Sequence, residues 1–267
     1  MNHYYENYYD KPSVLALWTF FKDSLICRSS AKRQSLINRQ KDYLEILRSP
    51  QLLALHRNLN KQHFQSMHEW PSHDYGEGYF YQSFELAKIR GLRDTQARVD
   101  AMDLRKWLEN KNVLDIGTNT GFLALSVSDI TKKIIGLDIN PHLILIAKLV
   151  QEYLKIEKSE FIISSFEDYV CLEKVDVILS FANHSTFDGN THQSLDQYFE
   201  RCYRYLELDG LILCESHHPQ YEKDFMSRVV PVVRKYFDVQ HIELLNYGRF
   251  YDRGRTFLIG KKKKFLT

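Results

Sequence analysis

Apolar positions follow two rhythms along the chain. Over the first 70 residues they recur at helical spacing. Val14, Leu17, Trp18, Phe21 and Leu25 follow Pro12, which can open a helix; Leu36, Tyr43, Leu44 and Leu47 precede Ser49-Pro50; and Leu52, Leu55 and Leu59 predict a third, short helix. From Lys111 onward, short apolar runs alternate with helical stretches. Val113, Leu114 and Ile116 read as a strand, Phe122, Leu123, Leu125 and Val127 as the start of a helix, and Lys132 to Leu137 as a second strand ending at Asp138. Pro141 opens a helix through Ile156, with Leu143, Ile146, Leu149, Val150 and Leu154 on its apolar side. Further strands are expected at Phe161 to Ser164, Val175 to Ser180, Gly210 to Glu215, Val239 to Tyr247 and Arg255 to Lys261. Helices are expected at Asp100 to Leu108, Thr191 to Leu206 (ended by the turn Asp209-Gly210) and up to Tyr236. Continuous rather than alternating apolar runs suit strands buried on both faces, and their alternation with helices predicts an α/β fold with a mostly parallel sheet.

Three regions follow: a helical extension over 1–70, a lid and linking helix over 71–110, and a ligand-binding domain over 111–267. The extension reads as a cap, a lid or a dimerisation element, so a homodimer is one expectation. Its basic residues Arg28, Lys32 and Arg33 read as a solvated face, or as a docking surface for a phosphorylated or membrane-linked substrate. Composition changes this little. Among 267 residues, 36 are basic and 34 acidic, and the net charge of +2 gives no global case for a nucleic-acid or membrane partner. Cys27, Cys171, Cys202 and Cys214 show no CxxC spacing, and Cys171 and Cys214 read as reduced core residues, which points to the cytoplasm. Met1 to Asp10 is polar and tyrosine-rich, unlike a signal peptide, and Val14 to Phe21 is too short to span a bilayer.

The candidate chemistry centres on Lys111 to Asn140. Strand, glycine turn, helix, strand and acid succeed one another, the unit that holds nucleotide-like ligands at the carboxyl ends of its strands. The turn is Gly117-Thr118-Asn119-Thr120-Gly121, with Asn119 where a dinucleotide fingerprint has its middle glycine, which disfavours a pyrophosphate. Asp115, just before the turn, repels phosphate but receives an ammonium or a hydroxyl. Asp138 ends the second strand, where an acid accepts both ribose hydroxyls. The ligand is therefore expected to carry adenosine and a cation but no phosphate. S-adenosylmethionine (SAM), with S-adenosylhomocysteine (SAH) as its product, fits.

VLDIGTNTGFLAL resembles motif I of the class I SAM-dependent methyltransferases, and GLDIN resembles their ribose-binding acidic loop. The resemblance runs from about Tyr79 to Lys264. It implies a Rossmann-like, seven-stranded, mostly parallel sheet with an antiparallel last strand, here with the helical N-terminal extension. It also implies that Asp115, Gly117, Thr118, Asn119 and Gly121 hold SAM together with Asp138 and Ile139. At the third strand's end it assigns Phe166 and Glu167, with Asp168 beside them, to the adenine; the acids also suit a helix's first turn. Ser180, ending the fourth strand, joins the expected set. Upstream, YQSFELAKIRGLRDTQARVDAMDLRKWL resembles a segment of two groups: the carboxymethyltransferase of tRNA wobble uridine and the methyltransferases that terminate bacterial O-antigen polysaccharides. Tyr81-Gln82 and Gly91-Leu92-Arg93-Asp94-Thr95 carry that likeness, which implies that Tyr81, Gln82 and Arg93 help hold SAM, the arginine as a fork on its carboxylate. The alternative is surface residues of a linking helix. Gly76 and Gly78, amid Tyr75, Tyr79, Phe80 and Tyr81, read as a flexible turn in an aromatic lid.

The stretch from Phe181 to Asn190 leaves the fourth strand where the family carries catalytic groups. A hydroxyl acceptor needs a base, and His184 is the natural one; a structural histidine is the alternative. Glu215, His217 and His218 at the next strand's end are read as lining an acceptor pocket or supplying a second base. His184, His217, His218 and Asp188 show no metal-motif spacing, so no metal is expected. Tyr247, Arg249, Tyr251 and Arg253 at the last hairpin's tip are placed to meet an anionic or sugar acceptor, or are plain turn residues, and Lys261 to Lys264 read as a solubilising tail. The leading expectation is O-methylation of a saccharide or saccharide-phosphate. The alternatives are a tRNA-modifying methyl- or carboxymethyltransferase and a non-catalytic SAM-binding partner of a biosynthetic enzyme.

Overall fold

The structure, a computed structural model, describes residues 13–26, 29–185, 192–248 and 253–264. Cys27, Arg28, Asp188, Arg249 and Tyr251 lie outside these residues, as do Pro12, Thr191 and residues 1–10. Seven strands form one sheet in the order β3-β2-β1-β4-β5-β7-β6. They are β1 (Asn112–Ile116), β2 (Lys133–Asp138), β3 (Ser159–Ile163), β4 (Val175–Phe181), β5 (Leu206–Glu215), β6 (Phe237–Asn246) and β7 (Arg253–Lys262). Strands β1 to β5 pair in parallel, while β7 runs antiparallel to both β5 and β6. The expected fold class is thus present. The chain forms two compact units.

One unit comprises Ala97–Thr118, Val127–Ile139 and Glu157–Thr267 and holds the whole sheet. Val113 to Ile116 are all buried, as a central strand covered on both faces requires. Leu114, Ile116, Ile178, Ile212 and Leu258 join Phe199 of helix α8 (Leu195–Tyr205) and Val233 of α9 (Val230–Tyr236) in the main core. Ser194 starts α8 with a capping box to Gln197. The expected helix stop at Asp209-Gly210 is instead a bulge inside β5: Val175 pairs with Leu206 and Val177 with Leu211, and Asp209 takes a φ of +64° to absorb the extra residues. The single helix expected over Asp100 to Leu108 is two, α4 (Thr95–Ala101) and α5 (Leu104–Leu108), broken where Asp103 turns left-handed at φ +49°. A π-helical turn, Phe225–Val229, precedes α9. Cys202 and Cys214 are buried, and Cys171, half-buried before β4, packs against the main core; all three are free thiols.

The other unit comprises Met1–Gln96, Asn119–Ser126 and Asn140–Ile156. It holds α1 (Ser13–Ile26), α2 (Ser30–Ile46), α3 (Pro50–Glu69), α6 (Phe122–Ser126) and α7 (Pro141–Leu154). Ser29, Ser49 and Asn140 cap α2, α3 and α7, the last two followed by proline at the first helical positions. Helix α3 runs a full ten residues past Leu59, to Glu69. Its buried face continues in polar residues that have partners: Asn60 accepts from Arg39 at 2.8 Å, His63 packs edge-on against Phe80, and Ser66 accepts from Asn140 at 2.8 Å. The aromatic segment is tied to α2 by hydrogen bonds. Ser35 donates to the Gly76 carbonyl at 2.6 Å, Tyr79 donates to Asp42 at 2.8 Å, and Tyr79 and Phe80 are buried. Among the described residues, no helix is long and apolar enough to cross a membrane.

Candidate active site

The carboxyl end of β1 places Asp115 inside the sheet unit, 4% exposed, where it accepts a 2.6 Å bond from the Thr118 hydroxyl. Burial pushes its carboxyl up to about 6, against the opposing pull of that hydroxyl and of the Arg98 charge. A carboxylate in such a place gains from an incoming cation. Gly117 follows at φ +65°, solvent-exposed, and a Cβ there would lie 3.0 Å from the Asn183 amide nitrogen. Only glycine serves a turn this close to a neighbour and this open to a ligand. Thr118 is held down by its own N–H, which donates to the Leu137 carbonyl at 2.8 Å. Asp138 and Ile139 lie half-buried at the end of β2, one strand over. A buried acid, an open backbone turn and a second acid fit an ammonium and a ribose diol, the hydrogen-bond donors that SAM presents; a pyrophosphate would meet two carboxylates.

After β3, Phe166 is buried against the rings of Tyr198 and Tyr205, with Arg201 over it. Glu167 Oε1 accepts the main-chain N–H groups of His192 and Gln193 at 2.6 and 2.9 Å. Asp168 is exposed and bonds the Ser165 hydroxyl at 2.6 Å, a local turn contact. Ser180, at the end of β4, is fully buried and shares hydrogen bonds with Tyr198 and Asn183. Asn183 in turn donates to the Ile116 carbonyl, so this polar knot ties the loop after β4 to β1.

That loop begins with Ala182 at φ +59°, a costly conformation for a residue with a side chain. It delivers His184, whose Nε2 lies 2.9 Å from Glu222 Oε1. Glu222 also accepts from Arg228 at 2.7 Å and from the His217 main-chain N–H at 2.9 Å. Burial would raise the Glu222 carboxyl, but the His184 and His217 contacts hold it below its ordinary value. Burial, with His184 beside it, lowers the His217 imidazole to about 4, so it is neutral at pH 7; its Nε2 meets the Ser185 carbonyl at 2.6 Å. His218 is half-buried beside Tyr221. Glu215, ending β5, pairs with Arg98 at 2.6 Å, both buried, and the Tyr247 hydroxyl reaches it at 3.5 Å. Arg253 is exposed.

In the helical unit, Gln82 and Arg93 form an isolated parallel bridge, and both are buried. The Arg93 N–H donates to the Tyr81 carbonyl at 2.7 Å, and Ser83 N–H donates back to the Arg93 carbonyl at 2.8 Å. Tyr81, half-buried, packs its ring 5.9 Å from Tyr75. Asn119, at φ +57°, accepts the Thr120 N–H, and Gly121, at φ +69°, starts α6. Of the three arginines after the aromatic segment, Arg90 pairs with Asp42 and Glu45, and Arg98 with Glu215. Sequence reasoning missed Glu222, Arg228, Asn183 and Tyr198 as supports of the site. Only Glu222 carried a signal, as an acid five residues after His217 in SHHPQYE.

Residues 108–244, just over half of the chain, match a family model described as a methyltransferase domain. A candidate protein N5-glutamine methyltransferase of Methanocaldococcus jannaschii is 28% identical over 142 residues, covering 47% of this chain and 71% of that one. The crystal structure of the N-methyltransferase NodS of Bradyrhizobium japonicum with bound SAH aligns with a TM-score of 0.52 at 13% identity, over 80% of this chain and 99% of that one. A methyltransferase of Pyrococcus furiosus aligns with a TM-score of 0.51 at 14% identity, over 64% of this chain and 84% of that one. These two structures share the fold.

Proposed function

The chain belongs to the methyltransferase-domain family and uses SAM as its cofactor, and on that premise we propose that it methylates a hydroxyl of a saccharide or saccharide-phosphate. SAM supplies an electrophilic methyl group on a sulfonium sulfur. In the sheet unit, Asp115 is assigned to the SAM ammonium, the exposed backbone of Gly117 and Thr118 to the close approach of the ligand, and Asp138 with Ile139 to the ribose. Phe166 and Glu167 serve the adenine, Glu167 with the one oxygen that the His192 and Gln193 amides leave unused. Ser180 supports Asn183 rather than touching the ligand, because its hydroxyl is buried and already shared. In the helical unit, Tyr81, Gln82 and Arg93 are assigned to the methionine end, with Asn119 and Gly121 shaping the turn.

The observation that supports the acceptor half of this reading is the His184–Glu222 contact at the carboxyl end of β4, on which we assign His184 as the base for a hydroxyl. The balanced charge favours a saccharide over a nucleic acid. The test incubates the protein with SAM and with saccharide and tRNA fractions in turn, following SAH release and a one-methyl mass gain on the product. Release with the saccharide fraction, lost at least about a hundredfold in His184→Ala, is the expected outcome. Release with tRNA alone sinks the saccharide assignment. Tight SAM binding without release on any fraction favours a non-catalytic partner, and full turnover in His184→Ala removes the base.

A further inference from the structure

The two ring nitrogens of His184 stand in different situations. The ring packs among Phe199, Phe225 and His217, and its side chain is closed off from solvent. Nε2 faces Glu222 Oε1 at 2.9 Å. Nδ1 is buried and, among the described residues, has no hydrogen-bond partner. Glu222 is gripped from other sides as well, by the Arg228 guanidinium on Oε1 and the His217 main-chain N–H on Oε2. These contacts favour its ionised form, and an ionised carboxylate only accepts. In the neutral ring the hydrogen therefore sits on Nε2 and the lone pair on Nδ1.

We propose that Glu222 is the positioning residue that fixes His184 in this tautomer, and that the bare Nδ1, once an acceptor displaces the side chains packed over it, takes the proton of a hydroxyl acceptor. The inference rests on the methyl-transfer reading above for its chemical step. The acceptor O–H bond breaks and its proton binds Nδ1. The oxygen's electron pair forms the new bond to the methyl carbon, and the pair of the broken carbon–sulfur bond stays on sulfur. A phosphate or carboxylate acceptor arrives without a proton and leaves Nδ1 unused, so the site selects a hydroxyl.

His184, His217 and Glu222 also bring ligand-type atoms within 4.8 Å of one another, as a metal would need. A metal on Nε2, however, would put the hydrogen on Nδ1, where no described residue accepts it. Metal-bound histidines almost always give that hydrogen to an acceptor. Arg228 on the same carboxylate oxygen adds a second positive charge at the place the cation would occupy. The arrangement suits a proton better than a metal.

Long-range proton–nitrogen correlation on the uniformly 15N-labelled full chain reads the tautomer directly, with His184 assigned by its loss in His184→Ala. The expected wild-type signal shows hydrogen on Nε2 and a bare Nδ1. Glu222→Gln, which keeps the size, should give mixed tautomers, and Glu222→Asp, which keeps the charge, should restore part of the preference. On whichever fraction supports SAH release, Glu222→Gln should lose at least about tenfold in turnover, with SAM binding unchanged within about twofold. The tautomer signal needs no acceptor, so its failure is distinct from failure of the methyl-transfer reading. If Glu222→Gln does not fold, the wild-type and Glu222→Asp spectra still decide. Hydrogen on Nδ1, or a tautomer indifferent to Glu222→Gln, overturns the assignment. So does one equivalent of zinc, retained or taken up from zinc chloride, that shifts both His184 and His217.

Discussion

A carboxylate sealed at the end of a parallel strand lowers stability until a cation comes to meet it, and Asp115 is such a group. Its folded pKa of about 6 lies above the 3.8 of an ordinary aspartate carboxyl, because burial disfavours the charged form. Between those values the folded chain holds a proton that the unfolded chain has released, so stability falls as pH rises through that window. Above about pH 6 the full penalty applies, on the order of 2–3 kcal/mol. Asp115→Asn keeps an oxygen for Thr118 and removes the buried charge. The ligand-free variant should melt up to about 5 °C higher than wild type at pH 7.5, and the gain should shrink toward pH 4.5. Calorimetric titration at pH 7.5 should show SAM binding weakened at least about tenfold in the variant. In wild type, affinity should drop as pH falls below about 6, because the carboxylate must first lose its proton. A variant that is both less stable and full in affinity would remove Asp115 from the ammonium site. The residue was legible in the sequence because an acid before a glycine turn is unusual. Glu222 was not, because its value comes from three neighbours that only the fold assembles.

Elements were legible where hydrophobicity alone decides them. The seven strands could be placed because each central one is a short apolar run. The boundaries that failed are those set by polar contacts or by backbone handedness: the second half of α3, with its partnered Asn60, His63 and Ser66, the break at Asp103, and the bulge at Asp209. The stretch 81–95 shows both sides of this. Its likeness to known segments was visible, but its shape was not. Gly91, at φ +28°, lies so close to Gln82 that an added Cβ would sit 2.3 Å from the carbonyl carbon and oxygen. Asn38 clamps it further, donating to the Gly91 carbonyl at 2.6 Å. Gly91→Ala must therefore open the Gln82–Arg93 bridge. The expected cost is about 2–3 kcal/mol in thermal or denaturant unfolding. Hydrogen exchange should show lost protection at the Arg93 and Ser83 amides, and SAM affinity should fall with them if Gln82 and Arg93 hold the ligand. Exchange lost at these amides with affinity intact would separate the bridge from the cofactor.

At the scale of the whole molecule, the order of the chain matters more than any single segment. Helices α6 and α7 lie between strands of the sheet in sequence, yet they pack in the compact unit of the N-terminal helices. Helix α7 meets α3 through Asn140 on Ser66, and through His142 set between Gln62 at 3.2 Å and Glu69 at 2.9 Å. Periodicity could mark both helices as amphipathic but could not say that they face each other across some 70 residues of sequence. A chain starting at Lys111 would retain every strand and all of motif I, and would still carry α7 with its partner removed. It should therefore fail to unfold cooperatively, elute as aggregate and bind a hydrophobic dye, as expected for an exposed helix face. A chain starting at Ser29 loses, among the described residues, only α1, whose Val14, Trp18 and Leu25 are exposed and whose Ala16 is its one fully buried described side chain. That chain should stay monodisperse and unfold in one transition at a modestly lower midpoint. If the Lys111 chain instead unfolds cooperatively and binds SAM, the N-terminal helices are an accessory to this methyltransferase and not part of its folding unit.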